Sequence, residues 1–313
     1  MNTKICAFAP ATIGNISCGF DVLGLALKGL GDIVEVMFAD HGDIKITKIL
    51  GDSSLSVDTN LNVCGVVANK MMNQTGRNNG IDIRINKGIK AGSGLGSSSA
   101  SSVATACAVN ILLGKPFKTR ELLEFSVEGE QVASGSRHAD NISPCLLGGI
   151  TLVRNHDTLD VISLPVPVDL YVVVLTPDFV INTRDARQML SPEIALSTAK
   201  QQWANLAAFV AGIYRSDYEL MSRSMEDLIA EPVRSRLIPG FDDLRQAALK
   251  MDAIGFGISG SGPAVFALTK GKKTALEVKN ALGEAYTGTG MAYSAFISPV
   301  NNTGAHEVKT FDF

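Results

Sequence analysis

Gly92-Ser93-Gly94-Leu95-Gly96-Ser97-Ser98-Ser99 follows an alternating apolar segment at 81–86 and opens a run of small residues at 97–113. The alternation predicts a strand and the small-residue run a helix, so the glycines form the turn between them. Glycine in such a turn lets several main-chain N–H groups point at one anion. The helix start adds unpaired N–H groups and the positive end of the macrodipole. The serines can cap the helix, meet phosphate oxygens or hold a cation; a plain helix cap after a glycine turn is the bland reading. The stretch is not a P-loop, because GxxxxGK[ST] occurs nowhere and no lysine stands at the helix start. Gly255-Phe256-Gly257-Ile258-Ser259-Gly260 matches the dinucleotide pattern GxGxxG literally. The residues after it, from Pro263 onward, read as a strand rather than a helix, so that match is set aside.

Outward from the loop, periodicity predicts strands at 33–38 and 44–49, a helix at 61–75, a helix at 119–134 and a hairpin from 149–154 and 159–163. Pro165 and Pro167 interrupt the pattern, which divides the chain into 1–165 and 166–313. The second part opens with a buried strand at 170–175. Ser191-Pro192-Glu193 looks like the start of a helix running to about residue 214. Helices at 217–229 and 242–251 come next, then strand 255–258, strand 264–269, helix 273–286 and strand 291–298. The order predicts an α+β fold with antiparallel sheet.

Composition bounds the function. The chain has 313 residues, 46% hydrophobic and 19% charged, as expected of a globular protein of about two domains. Lys and Arg total 28 against 31 Asp and Glu. That balance argues against a nucleic-acid binder, which needs a concentrated cationic face. No apolar run approaches the ~18 residues of a membrane span, and the N-terminal apolar stretch is too short for a signal-peptide core. A cytoplasmic protein is expected. Five scattered cysteines with no CxxC pair read as reduced, buried thiols. The Asn-x-Ser/Thr matches at Asn15, Asn73 and Asn141 then carry no glycosylation.

Some polar residues do not fit their surroundings. In the helix at 119–134, Glu121, Glu124 and Glu128 form one polar stripe, but Glu130 falls on the apolar face with Leu123 and Val127. Either the helix ends near Gly129 and Glu130 is exposed, or the carboxylate has a partner such as a magnesium ion. His138-Ala139-Asp140-Asn141 lies in a predicted loop, where a lone histidine is usually structural. Arg184 and Arg187 in one segment, and Arg234 and Arg236 in another, are by default solvated charges. Guanidinium groups also suit a bidentate carboxylate.

Three segments together resemble the GHMP kinases. Ala9-Pro10-Ala11-Thr12-Ile13-Gly14-Asn15, continuing to Gly19-Phe20-Asp21-Val22-Leu23-Gly24-Leu25-Ala26-Leu27, resembles their first motif. Residues 92–99 resemble the phosphate-binding second motif, and Gly257-Ile258-Ser259-Gly260-Ser261-Gly262-Pro263 the third. The resemblance spans nearly the whole chain and is closest to the branch of the family that phosphorylates L-homoserine. It implies a two-domain α/β (α+β) fold. The N-terminal domain would be similar to the second domain of ribosomal protein S5, and the C-terminal domain ferredoxin-like.

The resemblance also implies ATP and Mg²⁺. Ser98 and Glu130 would hold the metal and, with Asn141, form the catalytic set. The nucleotide would lie along Ala91, Gly92, Ser93, Gly94, Leu95, Gly96, Ser97, Ser98 and Ser99, its adenine near Asn60 and Asn62. The substrate would meet Asn15, Asp21, His138, Asn141, Thr183, Arg187, Arg234 and Gly260, with Arg187 and Arg234 on its carboxylate and Asp21 on its ammonium. Asn141 stands where several relatives are thought to place an aspartate base, and an amide cannot take a proton. Lys90 stands where the family usually has proline, placing a cation near the phosphates. A homodimer is implied too. The alternatives are a family member acting on another small alcohol, such as mevalonate or shikimate, and a nucleotide-binding regulator without activity.

Overall fold

In a computed structural model the described residues are 4–309 and 311, apart from 78 and 136. Strands β1 (Lys4–Gly14), β2 (Leu23–Ala39) and β3 (Ile44–Leu50) come first, then helix α1 (Val63–Thr75), β4 (Gly80–Asn86) and helices α2 (Ser97–Leu112), α3 (Thr119–Ser134) and α4 (Ile142–Leu147). The hairpin β5 (Ile150–Asn155) and β6 (Asp160–Leu164) completes the first half. The second half runs β7 (Leu170–Pro177), α5 (Thr183–Gln188), α6 (Leu196–Arg215), α7 (Tyr218–Ser224), α8 (Glu231–Arg234), α9 (Phe241–Lys250), β8 (Gly255–Ile258), β9 (Val265–Lys270), α10 (Lys272–Thr287), β10 (Tyr293–Pro299) and β11 (His306–Val308).

The first sheet has the order β11-β1-β2-β4-β3, with β5 and β6 continuing from the lower part of β2. All its pairs are antiparallel except β3 with β4. The second sheet is antiparallel in the order β10-β7-β9-β8. Numbered within that half, the order is 4-1-3-2, with α10 between the third and fourth strands, which is the ferredoxin-like arrangement. The chain passes from one sheet to the other between Leu164 and Leu170, and β11 returns to the first. We propose 1–165 and 166–313 as the units, with β11 reaching back across that division.

Helix α2 shows why its residues are small. Almost all its side chains are buried, from Ser97 and Ser99 through Ala100 to Asn110. Serine and alanine let its axis lie close against β1 and β2. Gly129 does the same job on α3, because a Cβ there would stand 2.7 Å from Val67 Cγ2 and 2.8 Å from Ser102 Oγ. Glycine in a helix interior costs about 1 kcal/mol against alanine. Here it lets α3 close on α1 and α2, and α3 continues past it to Ser134. The exposed alternative for Glu130 is thereby removed.

Several sequence expectations are corrected. The helix expected over 217–229 stops at Ser224, because buried Asp227 accepts hydrogen bonds from the backbone N–H groups of Ile229, Ala230 and Glu231 at 2.8–3.1 Å. That carboxylate caps the next turn instead of extending the previous helix. Ser191 does not start α6, which begins at Leu196; its hydroxyl bonds the Glu193 carbonyl in a local turn. Strand β1 and the short helices α4, α5 and α8 were not foreseen. No helix among the described residues is long and apolar enough to cross a membrane.

Candidate active site

The two sheets meet along a cleft of about 380 Å³. Its floor is the glycine turn. Gly92, Gly94 and Gly96 have φ of 69°, 85° and 67°, a left-handed region that side chains oppose, so the loop needs glycine at all three. A Cβ on Gly94 would stand 2.7–2.8 Å from the carbonyl oxygens of Ser259 and Gly262. The second and third glycine segments therefore pack backbone on backbone, with Ser259 Oγ donating to Gly94 O at 2.6 Å. Gly96 caps α2, and Ser97 Oγ is turned away to bond Ile89 O at 2.9 Å.

Ser98 Oγ and Ser99 Oγ instead both donate to Glu130 Oε2, at 2.7 and 3.0 Å. Three hard oxygens from two helices thus converge at the positive end of α2. Burial pushes the Glu130 carboxyl up; the two serine hydroxyls and Lys87 oppose that rise. Lys87 was missed by the sequence reading. Its ammonium, buried under the α2 start, pairs with Asp32 and donates to Ser97 O at 3.0 Å and Ser101 Oγ at 2.8 Å. Asp32 also accepts from Gly88 N and Ile89 N at 3.0 and 3.2 Å, which fixes the approach to the loop. Lys90 does not line the cleft. It reaches across its mouth to Asp178, at 2.6 Å, in an exposed pair. Exposed pairs contribute little, so Lys90→Pro is expected to fold and to change ATP affinity within about tenfold, as titration would show. Loss of ATP binding would make the lysine a phosphate contact.

The other end of the cleft is polar and closed. Asn15, Ile16 and Ser17 are consecutive non-glycine residues with positive φ of 73°, 43° and 56°, and Asp21 comes after them at 61°. Such conformations cost on the order of 1–3 kcal/mol each and persist only where the surroundings impose them. Asn15 Oδ1 accepts from Asp21 N at 3.0 Å, and Asn15 Nδ2 donates to Gly260 O at 2.9 Å. Arg234 Nη1 donates to the same carbonyl at 3.0 Å, and its guanidinium lies 5.2 Å over the Phe20 ring. Arg187 Nη2 straddles the Asp21 carboxylate at 2.7 and 2.5 Å and donates to His138 Nδ1 at 3.2 Å. Burial pulls His138 down to about 4 against Asp21's opposing pull, so the ring is neutral at pH 7 and accepts.

Asn141 stands between the two ends. Its Oδ1 accepts from buried Thr12 Oγ1 at 2.7 Å, and its Nδ2 lies 3.3 Å from Asp140 Oδ2. The glycines of the first motif make room for it. A Cβ on Gly14 would stand 2.5 Å from Asn141 Nδ2, and one on Gly24 would run into Asp140 O. Burial, reinforced by Asp21, pushes the Asp140 carboxyl from 3.8 up to about 7. Between those values the folded chain keeps a proton that the unfolded chain has lost, so stability falls as pH rises and levels off above the window. Asp140→Asn is expected to remove part of the Tm slope between about pH 4 and about pH 7 in thermal melts. An unchanged slope would assign it to other groups.

Asn15, Asp21, Asn62, Ala91, Gly92, Gly94, Gly96, Ser97, Ser98, Ser99, Glu130, His138, Asn141, Thr183, Arg187, Arg234 and Gly260 all line this cleft. Ser93 and Leu95 belong to the loop but are buried behind it. Asn60 does not join the others; it lies on a separate shallow groove with Thr59, Asn69 and Asn73. Asn62 caps α1, accepting from Cys64 N at 3.0 Å and donating to Ser56 O at 2.7 Å.

The GHMP kinase N-terminal domain matches residues 61–149, and the GHMP kinase C-terminal domain residues 209–288. The chain belongs to the GHMP kinase family. Within it the similarity is to homoserine kinases. A homoserine kinase of Chloroherpeton thalassium is 42% identical across 90% of this chain and 92% of that one. One of Chlorobaculum tepidum is 40% identical across 98% of both. The crystal structure of homoserine kinase from Cytophaga hutchinsonii superposes with a TM-score of 0.95, at 44% identity and covering 97% of both chains. A Leishmania major mevalonate kinase, 12% identical with a TM-score of 0.70 over 96% of this chain and 97% of that one, shares the fold.

Proposed function

We propose that the chain transfers the γ-phosphoryl group of ATP to the side-chain hydroxyl of L-homoserine, giving O-phospho-L-homoserine and ADP. The observation that carries this reading is the Asp21, Arg187 and Arg234 cluster at the closed end of a cleft whose other end is a phosphate-type glycine loop. Arg187 and Asp21 neutralise one another across the gap. An α-amino acid carries the complementary pair of charges, so its carboxylate replaces Asp21 on the guanidinium while its ammonium takes Asp21. Mevalonate and shikimate have no ammonium to offer.

The triphosphate lies against the loop amides and the start of α2. Glu130 and Ser98 fit a magnesium ion, whose ligands are hard oxygens completed by phosphate and water. When bound, that ion would supply charge neutralisation for the phosphates. The chain's own part is positioning. Asn141, held by Thr12, aims the substrate hydroxyl, and Arg187 and Arg234 fix the far end of the molecule. Phosphoryl transfer passes through a loose transition state and asks little covalent help of the protein. With no base at Asn141, the hydroxyl proton passes to the phosphate. The adenine sits near Leu61 and Asn62 at the cleft wall. The same reading has the protein working in the cytoplasm as a homodimer.

An ADP-release assay with homoserine, mevalonate, shikimate and no acceptor decides among the readings. Release with homoserine alone is expected. Preference for another alcohol would reassign the substrate, and no release with any acceptor would favour a nucleotide-binding regulator.

A further inference from the structure

Behind Arg234, on the side away from the cleft, lies a second cavity of about 10 Å³. Asn15, Arg234 and Gly260 line both spaces, so these three residues are the wall between them. The small cavity is completed by Ser17, Asp227, Glu231 and others. Ser17, Glu231 and Arg234 are only 3%, 7% and 4% exposed. Ser17 Oγ, Glu231 Oε2 and Arg234 Nε are buried there and have no hydrogen-bond partner among the described residues.

Three buried polar atoms without partners, on one cavity, are a costly arrangement. The volume is that of one water-sized sphere, and a buried water needs two to four polar partners. The set is also chemically complementary. Arg234 Nε–H and the Ser17 hydroxyl are donors, and Glu231 Oε2 is an acceptor. Glu231 is itself held from the other side by Arg245 through Oε1, while Gly260 O holds Nη1 of Arg234.

We propose that this cavity binds one ordered water, bonded to Ser17, Glu231 and Arg234, and that Glu231 is a positioning residue for Arg234. The inference rests on the homoserine reading above for its kinetic consequence, but not for the water itself. Nη1 is anchored by Gly260 O and Nε by the water, so the guanidinium plane is fixed from behind. Its outer edge is then presented to the substrate carboxylate without a conformational search. Through Ser17, the water also ties Arg234 to the strained bend that carries Asn15 and Asp21. Both charged ends of the substrate thus share one support.

The test has two parts. A high-resolution crystal structure of the whole chain should show a water peak within hydrogen-bond distance of all three atoms. Direct contact between Arg234 Nε and Glu231 Oε2, with the cavity closed, would overturn the proposal. In kinetics, Glu231→Ala is expected to raise the homoserine KM by about tenfold while leaving the ATP KM within about twofold. Glu231→Gln keeps an acceptor for the water and should recover most of that loss. Ser17→Ala, which removes no charge, should raise the homoserine KM by about threefold. Equal changes in both KM values for Glu231→Ala, with Ser17→Ala silent, would make Glu231 a merely structural residue and sink the proposal. If the wild-type chain turns over no homoserine, the functional reading fails, and the water peak still decides the cavity.

Discussion

Glu130→Gln is expected to bind ATP nearly as well as the parent and to turn over at less than about a tenth of its rate with saturating Mg²⁺. The substitution is close to isosteric. Ser98 Oγ and Ser99 Oγ now donate to Glu130 Oε2, and a glutamine carbonyl oxygen can still accept from both, though more weakly than a carboxylate. On the magnesium reading proposed above, what is lost is the negative charge that would hold the cation at the phosphates. Loop amides and the start of α2 remain, so the ground-state affinity for nucleotide is largely kept. Burial disfavours the charged Glu130, so a neutral side chain there should not lower the Tm. A stable variant that binds ATP and does not turn over is therefore the expected result. Turnover above about a tenth of the parent would mean that less than about 1.4 kcal/mol of transition-state stabilisation had been removed. The metal would then have other ligands.

Arg187→Ala and Arg234→Ala are expected to raise the homoserine KM by about ten- to hundredfold each, with the ATP KM nearly unchanged. Homoserine offers few apolar atoms, so its binding must come from its charged ends. Turnover should fall as well, because a half-held carboxylate aims the hydroxyl less well. The two variants should differ in stability. Arg187 is part-exposed and, among the described residues, pairs with Asp21 at the cleft, whereas Arg234 is buried and packs on Phe20. Only Arg234→Ala should lower the Tm by several degrees, since it alone leaves a cavity. Arg187→Ala also leaves Asp21 without its guanidinium, so part of its effect comes through the ammonium end. The double variant should cost less than the sum, because on the proposed reading both arginines would hold the same carboxylate. Arg184 and Arg236 are exposed and outside the cleft, and their alanine variants should be close to the parent. Damage from that pair instead would show that the register of these segments is wrong. No effect from any of the four would remove the case for a carboxylate-bearing substrate.

How legible these residues were depends on what kind of signal each one left. Glu130 betrays itself by helical period: a carboxylate on the apolar face of α3 needs a partner, and the structure supplies Ser98 and Ser99. Arg187 and Arg234 were separable from Arg184 and Arg236 only through the resemblance, since spacing treats the two members of each pair alike. Lys87 and Asp32 were invisible. Asp32 lies just outside the strand expected over 33–38 but in the middle of β2, and Lys87 just past β4; only the sheet register, with Ile33 opposite Asn86, brings these two together under α2. Asp140 left no signal beyond its place in a predicted loop, because nothing local reveals that Gly14 and Gly24 close around it. Strand β1 left no alternation, being buried along almost its whole length. Asn60 was placed with Asn62 through the resemblance, but the turn before α1 sends the two to different cavities.

The return of β11 to the first sheet also sets an order in time. Cys6, Ala7 and Phe8 on β1 pair with Val308, Glu307 and His306. Those partners are polymerised about 300 residues apart, which takes roughly 15–60 s at 5–20 residues per second on the ribosome. Throughout that interval the outer edge of β1 has no strand beside it, while the glycine loop and α2 packed on that sheet are already made. A bare strand edge is a template for pairing with another chain. The half that carries the glycine loop is thus the first to be synthesised and the last to have its sheet closed, which leaves the nascent chain's outer β1 edge open to pairing until the end of synthesis.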